Sequence, residues 1–185
     1  MDIFLFILFI ALIISVIYIY NRLVYKKNQV ENALRSIDVK MKKRYDEIPN
    51  LVDVVQEYMG YEEDVLKDIT ELRTEVMKND LPKDEEIKLN NQISDKLGGI
   101  IVAVENYPEL KASENFKDLQ RSLNEVESQI AAARRTYNSA VTDYNNSVEM
   151  FPSNIIASMF GYQNKELFMA TAAEKENVKL SKHFE

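Results

Sequence analysis

Two Tyr-Asn dipeptides, Tyr137-Asn138 and Tyr144-Asn145, stand one heptad apart and carry the polar chemistry best placed to sit inside a helical seam. A buried tyrosine hydroxyl needs a hydrogen-bond partner, and an asparagine amide can supply one. The spacing therefore predicts a small polar layer made by these side chains, with a ligand site as the second reading. Arg134-Arg135 precede the first pair and read as helix-flank residues that pair with acids on a neighbouring helix; contact with a partner is the second reading.

Other reactive constellations are sparse. The single histidine, His183, stands in the tail without companions, and a metal ligand needs several convergent donors. Glu62-Glu63-Asp64 reads as acidic residues opening a helix, where the macrodipole favours them, rather than as paired catalytic carboxylates. The sequence holds no cysteine, no Gly-rich phosphate loop and no G-x-S-x-G elbow. The expectation is that catalytic, cofactor-binding and metal residues are all none, and that the chain is not an enzyme.

The elements that position these residues are helices. Only 4 Gly and 4 Pro punctuate 185 residues, too few for the turns of a sandwich or barrel. Leu23, Val30, Leu34, Ile37, Met41, Tyr45, Ile48, Val52, Val55 and Met59 recur at three- and four-residue steps, one stripe of one long helix. Pro49 removes the hydrogen bond to the Tyr45 carbonyl, which predicts a kink rather than a break because the stripe keeps its phase. Gly60 permits a bend, Val65 to Val76 continue as helix, and Asn79-Asp80-Leu81-Pro82 is a turn. The next helix runs from Asp84 to Val104, with Gly98-Gly99 inside it suggesting close backbone packing or local softness, and Tyr107-Pro108 closes it. From a Ser113 cap the most regular stripe follows: Phe116, Leu119, Leu123, Val126, Ile130, Ala133, Tyr137, Ala140, Tyr144 and Val148. After Phe151-Pro152, Ser153 is expected to cap a short helix with Gly161 at its C′ position, and Leu167 and Phe168 to extend the apolar face.

The N-terminal segment belongs to a different solvent. The eighteen residues Ile3 to Tyr20 carry no charge and would span roughly 27 Å as a helix, close to the hydrocarbon thickness of a bilayer. A cleaved signal peptide would instead show a basic start, a shorter apolar core and a small-x-small cleavage site. The basic residues Arg22, Lys26, Lys27, Arg35, Lys40, Lys42, Lys43 and Arg44 follow the span, opposed only by Glu31 and Asp38. By the positive-inside rule the N-terminus faces outward and the domain is cytoplasmic; an extracytoplasmic domain is the alternative. Ala11 and Ser15 make a small-xxx-small spacing, so self-association as a homo-oligomer is a weaker expectation. The formal net charge of -7 argues against nucleic acid, whose phosphates need a basic face.

These readings combine into an all-α chain: an N-terminal transmembrane helix continuing into an antiparallel four-helix bundle. The expected domains are an anchor over 1–21 (span 3–20), a helical bundle over 22–170 and a polar C-terminal tail over 171–185. Short connections favour up-and-down packing.

Five stretches bear a family resemblance: YNRLV after the anchor, KNQVENALRSIDVKMKKRYDEIPNLVDVVQEY, NYPELKASENFKDLQ, ARRTYNSAVTDYN and FPSNIIASMFGY. Through them the chain, from Tyr20 to Phe168, resembles the LemA family of bacterial membrane proteins. The resemblance implies a single-pass bacterial cell-membrane protein with a helical-bundle domain, and it supplies no catalytic residue. In the family pattern a tryptophan commonly stands where Leu34 does, and a histidine precedes a glutamate near Gly60-Tyr61-Glu62; this chain has neither. The expected partners are the bilayer, through Ile3 to Tyr20, and an unknown protein. The expected function is that of an interaction or scaffold protein, with a ligand-binding or sensory module at the membrane surface as the alternative.

Overall fold

The computed structural model describes residues 2–59, 63–78, 81 and 83–168. Among them every regular element is helical: α1 (Asp2–Met59), α2 (Glu63–Val76), α3 (Lys83–Ala103), a 3-10 turn (Val104–Asn106), α4 (Pro108–Ala112), α5 (Glu114–Glu149) and α6 (Ser153–Met159). The chain divides into two compact units. The first is formed by Met1–Val39 and Ile130–Met169, the second is built on Lys40–Gln129, and both α1 and α5 contribute to each.

In the first unit α1 begins as a fully exposed apolar rod. Every residue from Ile3 to Ser15 is exposed, and none of the most apolar eighteen-residue window is buried. Burial starts where polar residues enter, at Leu23, Val30, Ala33 and Ile37. Lys26 Nζ meets Asp143 Oδ2 at 2.8 Å, and Leu23 shares an apolar cluster with Val148, so α1 and α5 run antiparallel here.

The second unit takes its core from Met41, Tyr45, Ile48, Leu51 and Val55 of α1, Ile69 of α2, Ile93 and Ile100 of α3, and Phe116 and Val126 of α5. Arg44 pairs with Glu127 and Glu47 Oε1 accepts from Ser122 Oγ at 3.0 Å, again an antiparallel sense. The expected stripes are recovered with shifts of one position. Val141 is buried where Ala140 was expected, and Ala33 and Leu51 replace Leu34 and Val52, which are half-buried. A 3.6-residue helix drifts across a strict three-four pattern, so a neighbouring position takes the seam.

Pro49 leaves α1 unbroken, and the reason lies in α2. The ring cannot donate to the Tyr45 carbonyl, and Arg73 Nε donates to it instead at 2.8 Å. Arg73→Met should therefore cost about 1 kcal/mol by orphaning that carbonyl. Pro49→Ala should restore a main-chain donor and remove most of that cost; a double-mutant cycle on urea midpoints in detergent checks the coupling.

Three local expectations change. Pro108 does not merely close a helix but occupies N1 of α4, where its missing N–H is harmless. Gly98 and Gly99 are exposed and an added Cβ would meet nothing within 4 Å, so no close approach requires them. Ser153 does not cap α6; its hydroxyl donates back to the Met150 carbonyl at 2.8 Å. Gly161 does stand at C′ with φ 71, and the bonds Gly161 N to Ser158 O and Tyr162 N to Ala157 O complete a Schellman turn.

Candidate functional site

The Schellman turn throws the chain out of α6 into residues 162–168, which have no regular secondary structure and lie along α5 in the first unit. A non-helical segment must find partners for its own peptide groups. Here α5 side chains supply them. Tyr144 Oη donates to Gln163 O at 3.0 Å, and Tyr137 Oη donates to Glu166 O at 3.2 Å. Asn145 binds both peptide groups of Lys165, donating to its carbonyl and accepting from its N–H, each at 2.9 Å. Asn138 does the same to Phe168, at 3.0 and 2.8 Å.

The heptad spacing is what makes this ladder fit. Seven α-helical residues rise about 10.5 Å, and three residues of extended or polyproline II chain rise about 9–10 Å. One step from Tyr144-Asn145 to Tyr137-Asn138 on α5 thus matches one step from Gln163-Lys165 to Glu166-Phe168 on the strap, running the opposite way. All six bonds go to main-chain atoms of the strap. The strap is therefore read for its conformation, with side-chain recognition added at its end: the Phe168 ring meets Tyr137 edge-on at 5.0 Å, and the Arg134 guanidinium lies 6.0 Å from the Phe168 ring centre.

This arrangement alters the sequence expectation in a specific way. Among the described residues the Tyr-Asn pairs do form a polar layer, but not with each other; their partner is a later piece of the same chain. Leu167 and Phe168 extend no helix face, since both lie on the strap, and Leu167 is exposed. Arg134 is buried against the strap, whereas Arg135 is exposed beside the Lys26–Asp143 pair.

Burial raises the Tyr137 phenol above its usual value, aided by the nearby Glu166 carboxylate, and burial alone raises Tyr144. A folded-state pKa above the unfolded value of about 10 means that docking favours the protonated phenol. Its contribution is complete below pH of about 10 and is lost as pH rises through the raised values, when neither phenolate can donate. Ring-current-shifted signals of Phe168 should accordingly move toward free-chain positions only above that pH; a Tyr137→Phe, Tyr144→Phe variant should lack this alkaline transition.

The second unit holds a different polar cluster. Arg44, read from sequence as part of the basic collar, is turned inward and only 1% exposed. Its Nη1 donates to Ser94 Oγ at 2.9 Å and Glu127 Oε2 at 3.0 Å, and its Nη2 to Asn90 Oδ1 at 2.6 Å. Tyr45 Oη donates to the same Asn90 oxygen, and Asn90 Nδ2 donates to Glu86 O at 2.8 Å. Burial raises the Tyr45 phenol, with Arg44 and Asn90 pulling the other way. Sequence reading missed this cluster. Its signal was present, because Met41-Arg44-Ile48 and Asn90-Ile93-Leu97 keep core spacing with a polar residue in an apolar phase.

Of the remaining candidates, His183 and Glu62 lie outside the described residues, as do the side chains of Glu63 and Asp64. Among the described residues no group of three or more acidic or histidine side chains converges as a metal site.

Comparison with known proteins adds to this geometry. The LemA family model matches residues 33–181, from the middle of α1 through the strap. The chain belongs to the LemA family. It is 30% identical to Protein LemA of Metamycoplasma hominis over 183 residues, covering 96% of this chain and 84% of the relative. Magnetosome proteins MamQ 1 and MamQ 2 of Paramagnetospirillum magneticum are each 34% identical over 77 residues, 42% of this chain and 28% of theirs. This LemA-family chain thus shares nearly its whole length with one relative and a limited stretch with the others. Family membership and the exposed apolar helix together point to a membrane-anchored protein.

Proposed function

We propose that this LemA-family chain is a membrane-tethered interaction protein: a single-pass anchor through Ile3 to Tyr20 presenting rigid helical faces to a protein partner. The observation that carries the reading is the continuity of α1, one helix from Asp2 to Met59 that passes from an exposed apolar segment into charged surface. With no Gly, Pro or Ser run between Tyr20 and Val30, the polar faces are held at a set distance from the bilayer rather than on a slack tether. The basic flank from Arg22 to Lys43 favours a cytoplasmic domain with the N-terminus outside. Ala11 and Ser15, both exposed on α1, offer a route to self-association within the membrane.

A photoreactive residue at Ser139, exposed on α5, should give discrete protein adducts in intact cells; adducts to lipid alone, or none, would overturn the reading. A cysteine at Arg121, in a chain without native cysteine, should resist an impermeant reagent until cells are opened. Labelling in intact cells would reverse the orientation. A ligand-binding role at the Tyr-Asn ladder would require displacement of the strap that fills it, which makes it the weaker reading.

A further inference from the structure

The hairpin that joins α5 to the strap has a composition that its position explains. From Met150 to Asn164 the chain carries no charged residue. One side of α6 is buried: Ile156 and Ala157 cluster with Leu23, and Val16, Ile19, Tyr20, Val148 and Tyr162 pack around them. Tyr20 and Phe160 rings lie 4.7 Å apart. Large apolar side chains are bare on the helix and at both its ends, with Met150 63% and Phe151 79% exposed before it, Ile155 52% and Met159 72% on it, and Phe160 56% after it. Five large exposed apolar side chains within eleven residues are a concentration of the kind that marks an interaction surface.

Val16, Ile19 and Tyr20 belong to the charge-free span, and that identifies the occupant. Val16 lies four residues inside Tyr20, about 6 Å along a helix, so a group packed against it shares its depth. We propose that residues 150–162 form a second, monotopic membrane contact, lying in the bilayer interface beside the base of α1 with Phe151, Met159 and Phe160 among the acyl chains. Apolar faces of interfacial segments sit about 5–10 Å below the headgroup boundary, which agrees with the register against Val16. Tyr20 and Tyr162 present phenol rings at this level, where amphipathic aromatics are favoured. Charge resumes on both flanks, at Glu149 and Lys165, where the chain returns to water.

The inference rests on the span being membrane-inserted, so its test reports on both. The full chain, carrying single cysteines at Ile10, Met159 or Arg121 labelled with an environment-sensitive fluorophore, is placed in phosphatidylcholine–phosphatidylglycerol vesicles containing acyl-brominated lipid. Quenching at Met159→Cys should exceed that at Arg121→Cys at least threefold and be strongest for bromines near the headgroup end of the acyl chain. Ile10→Cys should be quenched most by bromines near the chain terminus. Strong quenching at Ile10→Cys with none at Met159→Cys beyond the Arg121→Cys level overturns the inference and leaves the anchor standing. Absence of quenching at both overturns the anchor as well. A Met159→Cys label shielded from aqueous iodide yet untouched by brominated lipid would mean that a protein surface or second copy covers the hairpin, which also overturns it.

Discussion

Replacing Asn90 by alanine should destabilise the second unit by about 2–3 kcal/mol, the upper part of the range for leaving buried hydrogen-bonding groups unsatisfied, since Arg44 keeps its Glu127 and Ser94 partners. Asn90 is 1% exposed, and its amide meets three groups, of which Arg44 Nη2 and the Tyr45 hydroxyl have little recourse elsewhere, while the Glu86 carbonyl lies within α3. Its oxygen takes Arg44 Nη2 and the Tyr45 hydroxyl, and its nitrogen satisfies the Glu86 carbonyl. Alanine would leave Nη2 with only the Asn90 carbonyl at 3.4 Å, in a guanidinium whose Nε already lacks a hydrogen bond. Since domains are stable by only about 5–15 kcal/mol, the loss should be obvious in urea denaturation of the full chain in detergent.

The contrasting variant is Arg44→Met. It removes the guanidinium rather than leaving part of it unsatisfied, and Glu127, whose side chain is 49% exposed, returns its carboxylate to water. Exchanging a buried ion pair for apolar packing is often close to neutral, so its cost should be at most about 2 kcal/mol. Asn90→Ala should then cost distinctly less in the Arg44→Met background than alone. Equal costs in both backgrounds would show that the cluster is not coupled through Asn90.

The second large effect concerns the strap. Asn138→Ala and Asn145→Ala each delete two hydrogen bonds to strap peptide groups. At about 1 kcal/mol net per bond, each variant should weaken strap docking by about 2 kcal/mol and the pair by about 4. Amide exchange follows the local opening equilibrium, so the Lys165 and Phe168 amides should exchange about 30-fold faster in the corresponding single variant and about 10³-fold faster in the double. The core amides of α5, such as Val126 in the second unit, should be unaffected. Because the ladder reads main chain, Lys165→Ala and Glu166→Ala should leave strap protection within a few-fold of the parent. Strong loss of protection in those two variants would show side-chain recognition instead.

How much of this was legible in advance depends on the range over which each signal acts. The apolar run Ile3 to Tyr20 and the three-four stripes are local periodicities, and helix formation depends on neighbours within a turn or two. The Schellman glycine at 161 was likewise readable, because a positive φ at a helix end is a local requirement. Ser153 was misread since a serine ahead of a helix can cap it or donate backward, and the backbone of the preceding turn decides which.

Local residue patterns are enough to make this chain helical, to give its first helix the length and composition of a bilayer span, and to put Tyr137, Asn138, Tyr144 and Asn145 on one face of α5. What that face holds is set by contacts distant in the chain. Hydrogen-bond partners separated by twenty or thirty residues leave no periodic trace, and a segment recognised through its peptide groups places little demand on its side chains. The same holds for Arg44: it reads as one of the basic residues that follow the span, although its phase is a core one, and a guanidinium can be buried only where Asn90, Ser94 and Glu127 arrive from other helices to meet it.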